Sequence, residues 1–302
     1  MKFPMKRVRV GTGRVVIAAL VVVAVVLVGG VALASAARSW SSRSSITVEN
    51  AVPASAAGCA MKPTIVLVHG NWANTSSWSG EVARLQRDRY VVRAINNPLR
   101  GLTSDAADVA DLLHTISGPI VLVGHSYGGM VITNAAAGNP NVKALVYVDG
   151  FAPDVGETAG QLLGNTSALG AAPNTLFDTV AHPGAPAGDT DLYLKERVFL
   201  QSFAQDLPTA TAEALWASQN PSAVNTGTTP SWAAAWKTIP SWYVIGTADK
   251  IITPESQLFM ARRAHARSII TVPGGSHLTL ISHPTEVTTQ IVAAAQAACS
   301  AR

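Results

Sequence analysis

Cysteine is scarce in this chain, which has only Cys59 and Cys299 among its 302 residues. Two cysteines cannot build a disulfide-rich scaffold, and no group of cysteine, histidine and acidic residues has the spacing of a metal site. The sequence also lacks internal repeats and a glycine-rich phosphate loop. These absences exclude a zinc-stabilised module, a repeat protein and a phosphate-loop nucleotide-binding protein.

Charged residues are also few. They make up 13% of the chain against 48% hydrophobic residues, a composition that predicts a compact body with a large core. The formal net charge is +4, but residues 1–36 contain five basic residues (Lys2, Lys6, Arg7, Arg9 and Arg14) and no acidic one. Without these five, 17 basic residues face 18 acidic ones. The body therefore has no excess of positive charge that would predict binding to nucleic acid or to an acidic substrate.

The N-terminal segment has the pattern of an export signal. Its basic residues precede an apolar run at 15–28 and small residues that include Ala34 and Ala36, which is typical of a secretory signal with a cleavage site. Residues 15–34 could alternatively remain as an uncleaved anchor, because 20 residues at about 1.5 Å each span a hydrocarbon core of ~30 Å. Both interpretations place the rest of the chain outside the cytoplasm. We expect a signal peptide or anchor at 1–36 and a flexible lead-in at 37–58.

The most informative motif is Gly-His-Ser-Tyr-Gly at residues 124–128. It follows an apolar run rich in β-branched residues at 119–123 and precedes an alanine-rich segment at 129–137. This pattern predicts a strand, a tight turn at Ser126 and a helix. Such a turn presents the serine hydroxyl at the carboxyl end of a parallel strand, so Ser126 is the predicted nucleophile.

A serine nucleophile needs a histidine that takes its proton and an acid that orients the histidine. Asp249 follows a predicted strand at 241–246, and His277 follows another at 268–272. Since the carboxyl ends of parallel strands meet at one edge of a sheet, we predict that His277 is the general base and Asp249 the orienting carboxylate.

Three alternatives compete with this assignment. Asp149 follows a predicted strand at 142–148 and could supply the acid instead. His283 is the competing histidine, although its place before a proline at a predicted helix start favours a surface role. Asp249 could simply cap the helix that begins near Pro254.

The negative charge of a tetrahedral intermediate needs two preorganised donors, which are usually backbone N–H groups. Tyr127, directly after the nucleophile, is predicted to supply one. The other is expected from the sequence His-Gly-Asn-Trp at 69–72, after an apolar run at 63–68, with Trp72 the preferred donor and Asn71 the alternative. His69, Gly70 and His125 are expected to border the substrate.

Strands and helices alternate along most of the chain, which predicts a mainly parallel sheet with helices on both faces. Six strands are expected near 64–68, 90–95, 119–123, 142–148, 241–246 and 268–272. The core would comprise 59–150 and 240–302, and 151–239, where the alternation stops, would form a helical cap insertion. Apolar residues of this insertion could line a pocket for an acyl or alcohol group: Leu162, Leu163, Phe177, Phe199, Phe203, Trp216, Trp232 and Trp236.

From about residue 63 to 298 the sequence resembles the α/β-hydrolases. The motif at 69–72 with Ser77 and Trp78, the Gly-His-Ser-Tyr-Gly-Gly turn and the Ser276-His277 loop are similar to those of small carboxylesterases, plant methylesterases and hydroxynitrile lyases. The resemblance implies a Ser-His-Asp triad and no cofactor. In the lyases a lysine commonly follows the catalytic histidine, whereas Leu278 stands there in this chain, which favours ester hydrolysis.

The sequence therefore predicts a secreted serine hydrolase that cleaves small to medium uncharged carboxylic esters. The alternatives are a non-catalytic receptor or carrier on the same scaffold and a lyase of the hydroxynitrile type. The expected partner is a small-molecule ester, with no nucleic acid and with membrane contact only through an uncleaved N-terminal segment. In an oxidising compartment, Cys59 and Cys299, at the two edges of the body, are predicted to form one disulfide.

Overall fold

The structure is a computed structural model that describes residues 61–182, 184–186 and 188–300. The predicted signal or anchor at 1–36, the lead-in at 37–58 and Cys59 lie outside these residues. The predicted bridge between Cys59 and Cys299 therefore stays a prediction. Among the described helices, none combines the length and the apolar character that crossing a membrane requires.

A six-stranded parallel sheet forms the centre of the described chain. Its four inner strands bury nearly continuous apolar runs, as parallel strands covered on both faces do, whereas its two edge strands are only partly buried. The fold class is confirmed, and each of the six predicted strands lies within two residues of an observed one. In chain order the strands of the described part are β1 (Thr64–Val68), β2 (Val92–Ile95), β3 (Ile120–His125), β4 (Val142–Val148), β5 (Phe177–Val180), β6 (Asp191–Leu194), β7 (Ser222–Ala223), β8 (Ser241–Gly246) and β9 (Ser268–Val272). Across the central sheet the strand order is β2-β1-β3-β4-β8-β9.

Helices cover both faces of this sheet. The helices of the described part are α1 (Ser79–Arg87), α2 (Leu102–His114), α3 (Tyr127–Ala135), α4 (Pro173–Leu176), α5 (Glu196–Val198), α6 (Thr209–Ala217), α7 (Asn225–Thr228), α8 (Pro254–Arg263), α9 (Thr279–Ser282) and α10 (Pro284–Ser300). α1 packs on α10, which covers β3, β4 and β8, while α2 packs on α3. Because the strands are parallel, the loops that follow β3, β4, β8 and β9 lie at the same edge of the sheet.

Residues 151–239, which we call the cap segment, connect β4 to β8. They contain α4 to α7 and a π-helical turn at Phe199–Phe203. They also contain a small antiparallel sheet, β5-β6-β7, which was not predicted from the sequence. Within the segment expected to form a helical cap insertion, Asp191–Leu194 is instead a strand. Strands of two to four residues are too short to carry a clear alternating pattern.

Candidate active site

Ser126 lies on a strained turn between β3 and α3. Its φ angle is +53°, a value that non-glycine residues adopt only where the surroundings enforce it. Close packing explains the neighbouring glycines. A Cβ on Gly124 would lie 2.5 Å from the Gly128 carbonyl oxygen, and one on Gly128 would lie 2.4 Å from the Val68 carbonyl oxygen. Glycine at both positions lets the helix start directly against the strands and lifts the serine to the edge of the sheet.

Ser126, His277 and Asp249, which the sequence places 151 and 28 residues apart, form one hydrogen-bonded chain. The Ser126 hydroxyl lies 2.8 Å from His277 Nε2, and His277 Nδ1 lies 2.8 Å from Asp249 Oδ2. The side chains of His277 and Asp249 are fully buried, whereas 5% of Ser126 is exposed. A neutral imidazole that donates through Nδ1 to the carboxylate has Nε2 free to take the proton of the serine.

Asp249 is held by its own loop. Its Oδ1 accepts from the backbone N–H groups of Ile251 and Ile252, and its Oδ2 also accepts from the Gln257 side chain at 2.7 Å. It does not cap α8, because Thr253 fills that place and accepts from the third residue of the helix. The carboxylate is thus fixed in the orientation that bonds to the imidazole.

The backbone around His277 is held by three side chains from other parts of the chain. Asp206 of the cap segment accepts from the Ser276 N–H at 2.9 Å, and His125 Nε2 lies 2.8 Å from the His277 carbonyl oxygen. Asp149 accepts from the backbone N–H of Thr279 at 3.1 Å. These contacts hold the backbone before, at and after His277.

The two competing candidates lie outside the hydrogen-bonded chain. Asp149 is fully buried, but its carboxylate bonds to Gly246 and Thr279 and makes no hydrogen bond to His277. His283 is partly exposed and bonds to the Ser282 hydroxyl, with Asp206 3.9 Å away. The structure therefore brings Asp249 rather than Asp149 to the imidazole.

The predicted oxyanion donors surround the nucleophile. Tyr127 begins α3, where a backbone N–H has no partner within the helix, and its hydroxyl donates to Asp105 at 2.9 Å. Asn71 and Trp72 line the same cavity as Ser126. Among the described residues, none accepts a hydrogen bond from the backbone N–H of Tyr127, Asn71 or Trp72. These groups are available to a developing negative charge, and the choice between Asn71 and Trp72 stays a prediction.

The three residues expected to border the substrate lie behind the serine and not on the cavity wall. Gly70 is pressed against Ser126, since a Cβ there would lie 2.5 Å from the Ser126 Cβ. His69 and His125 are fully buried, and desolvation lowers the pKa of both imidazoles, well below the usual range for His125. His69 Nδ1 bonds to the Gly70 carbonyl oxygen and its Nε2 accepts from the Asn97 N–H. Both histidines therefore support backbone rather than line the cavity.

A cavity of about 160 Å³ opens on Ser126, mostly between the cap segment and the serine. None of its described lining residues is charged. They are Asn71, Trp72, Ser126, Phe151, Ala159, Gly160, Leu163, Leu169, Phe177, Leu192, Ser222, Ala223, Val224, Thr226, Gly227 and Ile251. An apolar wall of this kind suits an uncharged acyl or alcohol group.

Only part of the predicted apolar wall reaches this cavity. Leu163 and Phe177 line it, and Phe177 stacks on Trp72 with ring centroids 5.5 Å apart. Phe203 instead packs with its ring centroid 5.0 Å from that of His277. Trp232 is 47% exposed. The remaining four pack within the cap segment and its base: Leu162, Phe199, Trp216 and Trp236.

Metal chemistry has no ligand set in the described part of the chain, where no three histidine, cysteine or acidic side chains are placed to hold an ion. The arrangement can activate a serine hydroxyl, and it offers backbone donors and an apolar cavity beside it. An acyl-transfer reaction requires these features.

Comparison with known proteins agrees with this geometry. Residues 65–290 match the alpha/beta hydrolase family. The chain belongs to this family. Alpha/beta hydrolase nvfD of Aspergillus novofumigatus (strain IBT 16806) is 28% identical over 244 residues, which cover 74% of this chain and 93% of that protein. The carbendazim hydrolyzing esterase of Nocardioides sp. (strain SG-4G) is 32% identical over 111 residues, 32% of this chain and 46% of that enzyme.

Among solved structures, polyneuridine aldehyde esterase superposes with a TM-score of 0.65. The match has 16% sequence identity and covers 77% of this hydrolase and 99% of the esterase chain. At this level of identity the likeness concerns the fold.

Sequence reasoning missed several residues that support the site. Asp105 on α2 accepts from the Tyr127 hydroxyl and from the N–H groups of Arg100 and Gly101, and burial raises the pKa of this carboxyl despite these bonds. Gln257 and Asp206 hold the acid and the histidine loop. None of them belongs to a motif, because their role depends on contacts between segments far apart in sequence.

Proposed function

We propose that this alpha/beta hydrolase is a serine esterase that cleaves small to medium uncharged carboxylic esters through an acyl-enzyme. The single observation that carries the proposal is the chain of 2.8 Å contacts from Ser126 through His277 to Asp249, which opens on an uncharged cavity. A buried imidazole, a serine with a strained backbone and an apolar cavity seldom occur together where the residues have only a structural role.

The proposed reaction has two halves. His277 takes the hydroxyl proton of Ser126 while the serine oxygen attacks the ester carbonyl. The imidazolium then gives this proton to the leaving alcohol. Tyr127, with Trp72 or Asn71, donates backbone hydrogen bonds to the oxyanion. Water then attacks the acyl-serine, with His277 again as the base, and releases the carboxylic acid and the free serine.

The substrate class follows from the cavity. Its described lining contains no charged residue and hence no counter-ion, so a charged acyl group would lose its hydration without compensation. A cavity of about 160 Å³ is similar in volume to engineered apolar cavities of ~150 Å³ that admit benzene. We therefore expect short acyl chains or a single ring to be accepted best.

The names of two similar proteins support ester hydrolysis over other reactions of the fold, since one is a carbendazim hydrolyzing esterase and another is polyneuridine aldehyde esterase. A lyase of the hydroxynitrile type has less support, because the buried Leu278 follows His277 where such lyases carry a lysine. A non-catalytic receptor would not need the serine, histidine and acid to be in hydrogen-bond contact.

We further propose export. The basic and apolar pattern of residues 1–36 supports a secretory signal, or an anchor that leaves the hydrolase outside the cytoplasm. A disulfide between Cys59 and Cys299 would be compatible with that compartment.

Hydrolysis of p-nitrophenyl esters tests the proposed function. We expect turnover of the acetate and butyrate, a decline towards the decanoate, and loss of activity in Ser126→Ala. If the purified protein hydrolyses no member of the panel faster than Ser126→Ala does, the esterase proposal is wrong. Binding of an ester without turnover by both proteins would favour the receptor.

A further inference from the structure

Asp149 lies between the loops that carry the histidine and the acid of the proposed triad. β8 lies between β4 and β9 in the sheet, and the side chain of Asp149, directly after β4, contacts both the end of β8 and the segment after β9. Asp149 Oδ1 accepts from the Gly246 N–H at 2.8 Å. Its Oδ2 accepts from the Thr279 N–H at 3.1 Å and from the Thr279 hydroxyl. Gly246 ends the strand that leads to Asp249, and Thr279 is the second residue after His277.

The carboxylate of Asp149 is held by specific hydrogen bonds in a buried position. Asp149 is fully buried and does not line the cavity at Ser126. Its φ angle is +42°, a strained value for a non-glycine residue, which costs of order 1–3 kcal/mol unless the surroundings compensate. The three hydrogen bonds that the carboxylate accepts are such compensation.

We propose that Asp149 is a positioning residue of the ester hydrolysis, which fixes the loops of His277 and Asp249 relative to each other without touching substrate. This inference rests on the proposed function. It predicts that Asp149 acts on turnover rather than on substrate binding, since the cavity wall is made by other residues.

An asparagine cannot replace this carboxylate. The backbone N–H groups of Gly246 and Thr279 bond to different oxygens of Asp149, and neither group can reverse its direction. Whichever way the side-chain amide of the Asp149→Asn variant faced, its NH₂ would meet one backbone N–H. One of the two loops would lose its anchor, and a displacement of about 1 Å at a reacting group can lower the rate about 10²-fold.

The charge of Asp149 gives a second readout. Burial, followed by the charge of Asp249, raises the pKa of Asp149 to about 7, and the charge of His277 opposes this rise. These are the two titratable groups whose charges act on Asp149: Asp249 on the loop after β8 and His277 on the loop after β9. The carboxylate is fully charged only above a pH of about 7, so the three hydrogen bonds that it accepts weaken as the pH falls through that value. Part of the acidic limb of the kcat/KM profile should follow this ionisation, and Asp149→Asn, which lacks it, should move the limb to lower pH.

The experiment compares Asp149→Asn, Thr279→Val and Thr279→Ser with the wild type on p-nitrophenyl acetate, with active sites counted from the initial burst of p-nitrophenol. For Asp149→Asn we expect kcat to fall about 10²-fold, KM to stay within about threefold, and the acidic limb to move to lower pH. Thr279→Val, which loses one donor, should lose about three- to tenfold in kcat. Thr279→Ser, which keeps the hydroxyl, should stay within about twofold.

Wild-type kcat and an unmoved acidic limb in Asp149→Asn would overturn the positioning role. If Asp149→Asn does not fold, the two Thr279 variants test the positioning role instead. Equal turnover of Thr279→Val and Thr279→Ser would then overturn that role. Ser126→Ala is measured beside them. If it turns over esters like the wild type, the proposed function fails and this inference with it. If it is inactive while the Asp149 and Thr279 variants match the wild type, only the positioning role fails.

Discussion

Glu81 on α1 should make the stability of this hydrolase depend on pH in a direction opposite to that of an ordinary salt-bridged carboxylate. Its side chain is fully buried, and neither carboxyl oxygen has a hydrogen-bond partner among the residues that the structure describes. Burial raises the pKa of Glu81 to about 9, against the smaller lowering effects of its own backbone N–H and of the nearby Arg84. At neutral pH the folded protein therefore holds this group as a neutral acid, whereas the unfolded chain ionises it.

The magnitude follows from linkage. The unfolded chain loses the proton near pH 4.5 and the folded one near pH 9, so between these values the folded state binds one more proton. The free energy of unfolding then falls by about 1.4 kcal/mol for each pH unit as the pH rises. At pH 7 the loss relative to pH 4.5 is about 3 kcal/mol. Glu81→Gln keeps the shape and removes the ionisation, so it should recover this loss.

Urea unfolding followed by tryptophan fluorescence at pH 5, 6, 7 and 8 measures the effect. The stability difference between Glu81→Gln and the wild type should grow by about 1.4 kcal/mol per unit, with similar m-values. Glu255→Gln, at an exposed position of α8, is the matched control and should show no such trend. A difference that stays constant from pH 5 to 8 would show that Glu81 has the same ionisation in both states, and the reasoning would be refuted.

The remaining predictions concern the site and the chain ends. Asp249→Asn should lower kcat by about 10⁴, as a wrongly held tautomer does in serine proteases, and retained turnover in ester assays would contradict its role. Gly70→Ala should abolish most turnover because its Cβ would lie only 2.5 Å from the Cβ of Ser126, whereas Gly170→Ala, whose Cβ meets nothing within 4 Å, should be neutral in the same assay. Cys59→Ser with Cys299→Ser should lower the melting temperature and leave turnover nearly unchanged. The loop of about 240 residues sets an upper limit of ~5 kcal/mol on the stabilisation by the bridge. Two free thiols, found by mass spectrometry in protein produced by its own host, would contradict the bridge.

The central sheet could be predicted from the sequence because its four inner strands are short apolar runs and because strands alternate with helices along most of the chain. Such runs arise when a parallel strand is buried on both faces, and their order along the chain fixes which loops share an edge. The strand ending at His125 and the one ending at Gly246 are examples, both buried along their whole length. From that edge the positions of Ser126 and His277 followed directly.

The cap segment could not be predicted in the same way. β5 is largely exposed, with three of its four residues on the surface, and β7 has only two residues. These strands are stabilised by contacts with each other and with the body, and such contacts leave no periodic pattern in the sequence. The cavity wall depends on the same contacts, which is why only Leu163 and Phe177 of the predicted set line it.

The number of residues between each acid and the end of its strand explains which of the two acids contacts His277. Asp149 and Asp249 both follow parallel strands at the same edge, so topology alone admits either. Asp149 directly follows β4, and its short reach ends at the backbone of the neighbouring loops. Asp249 comes three residues after β8, and this extra length carries its carboxylate to the imidazole, where its own loop and Gln257 hold it. A carboxylate at the strand end is therefore suited to holding the loops, and one further along is suited to contacting the base.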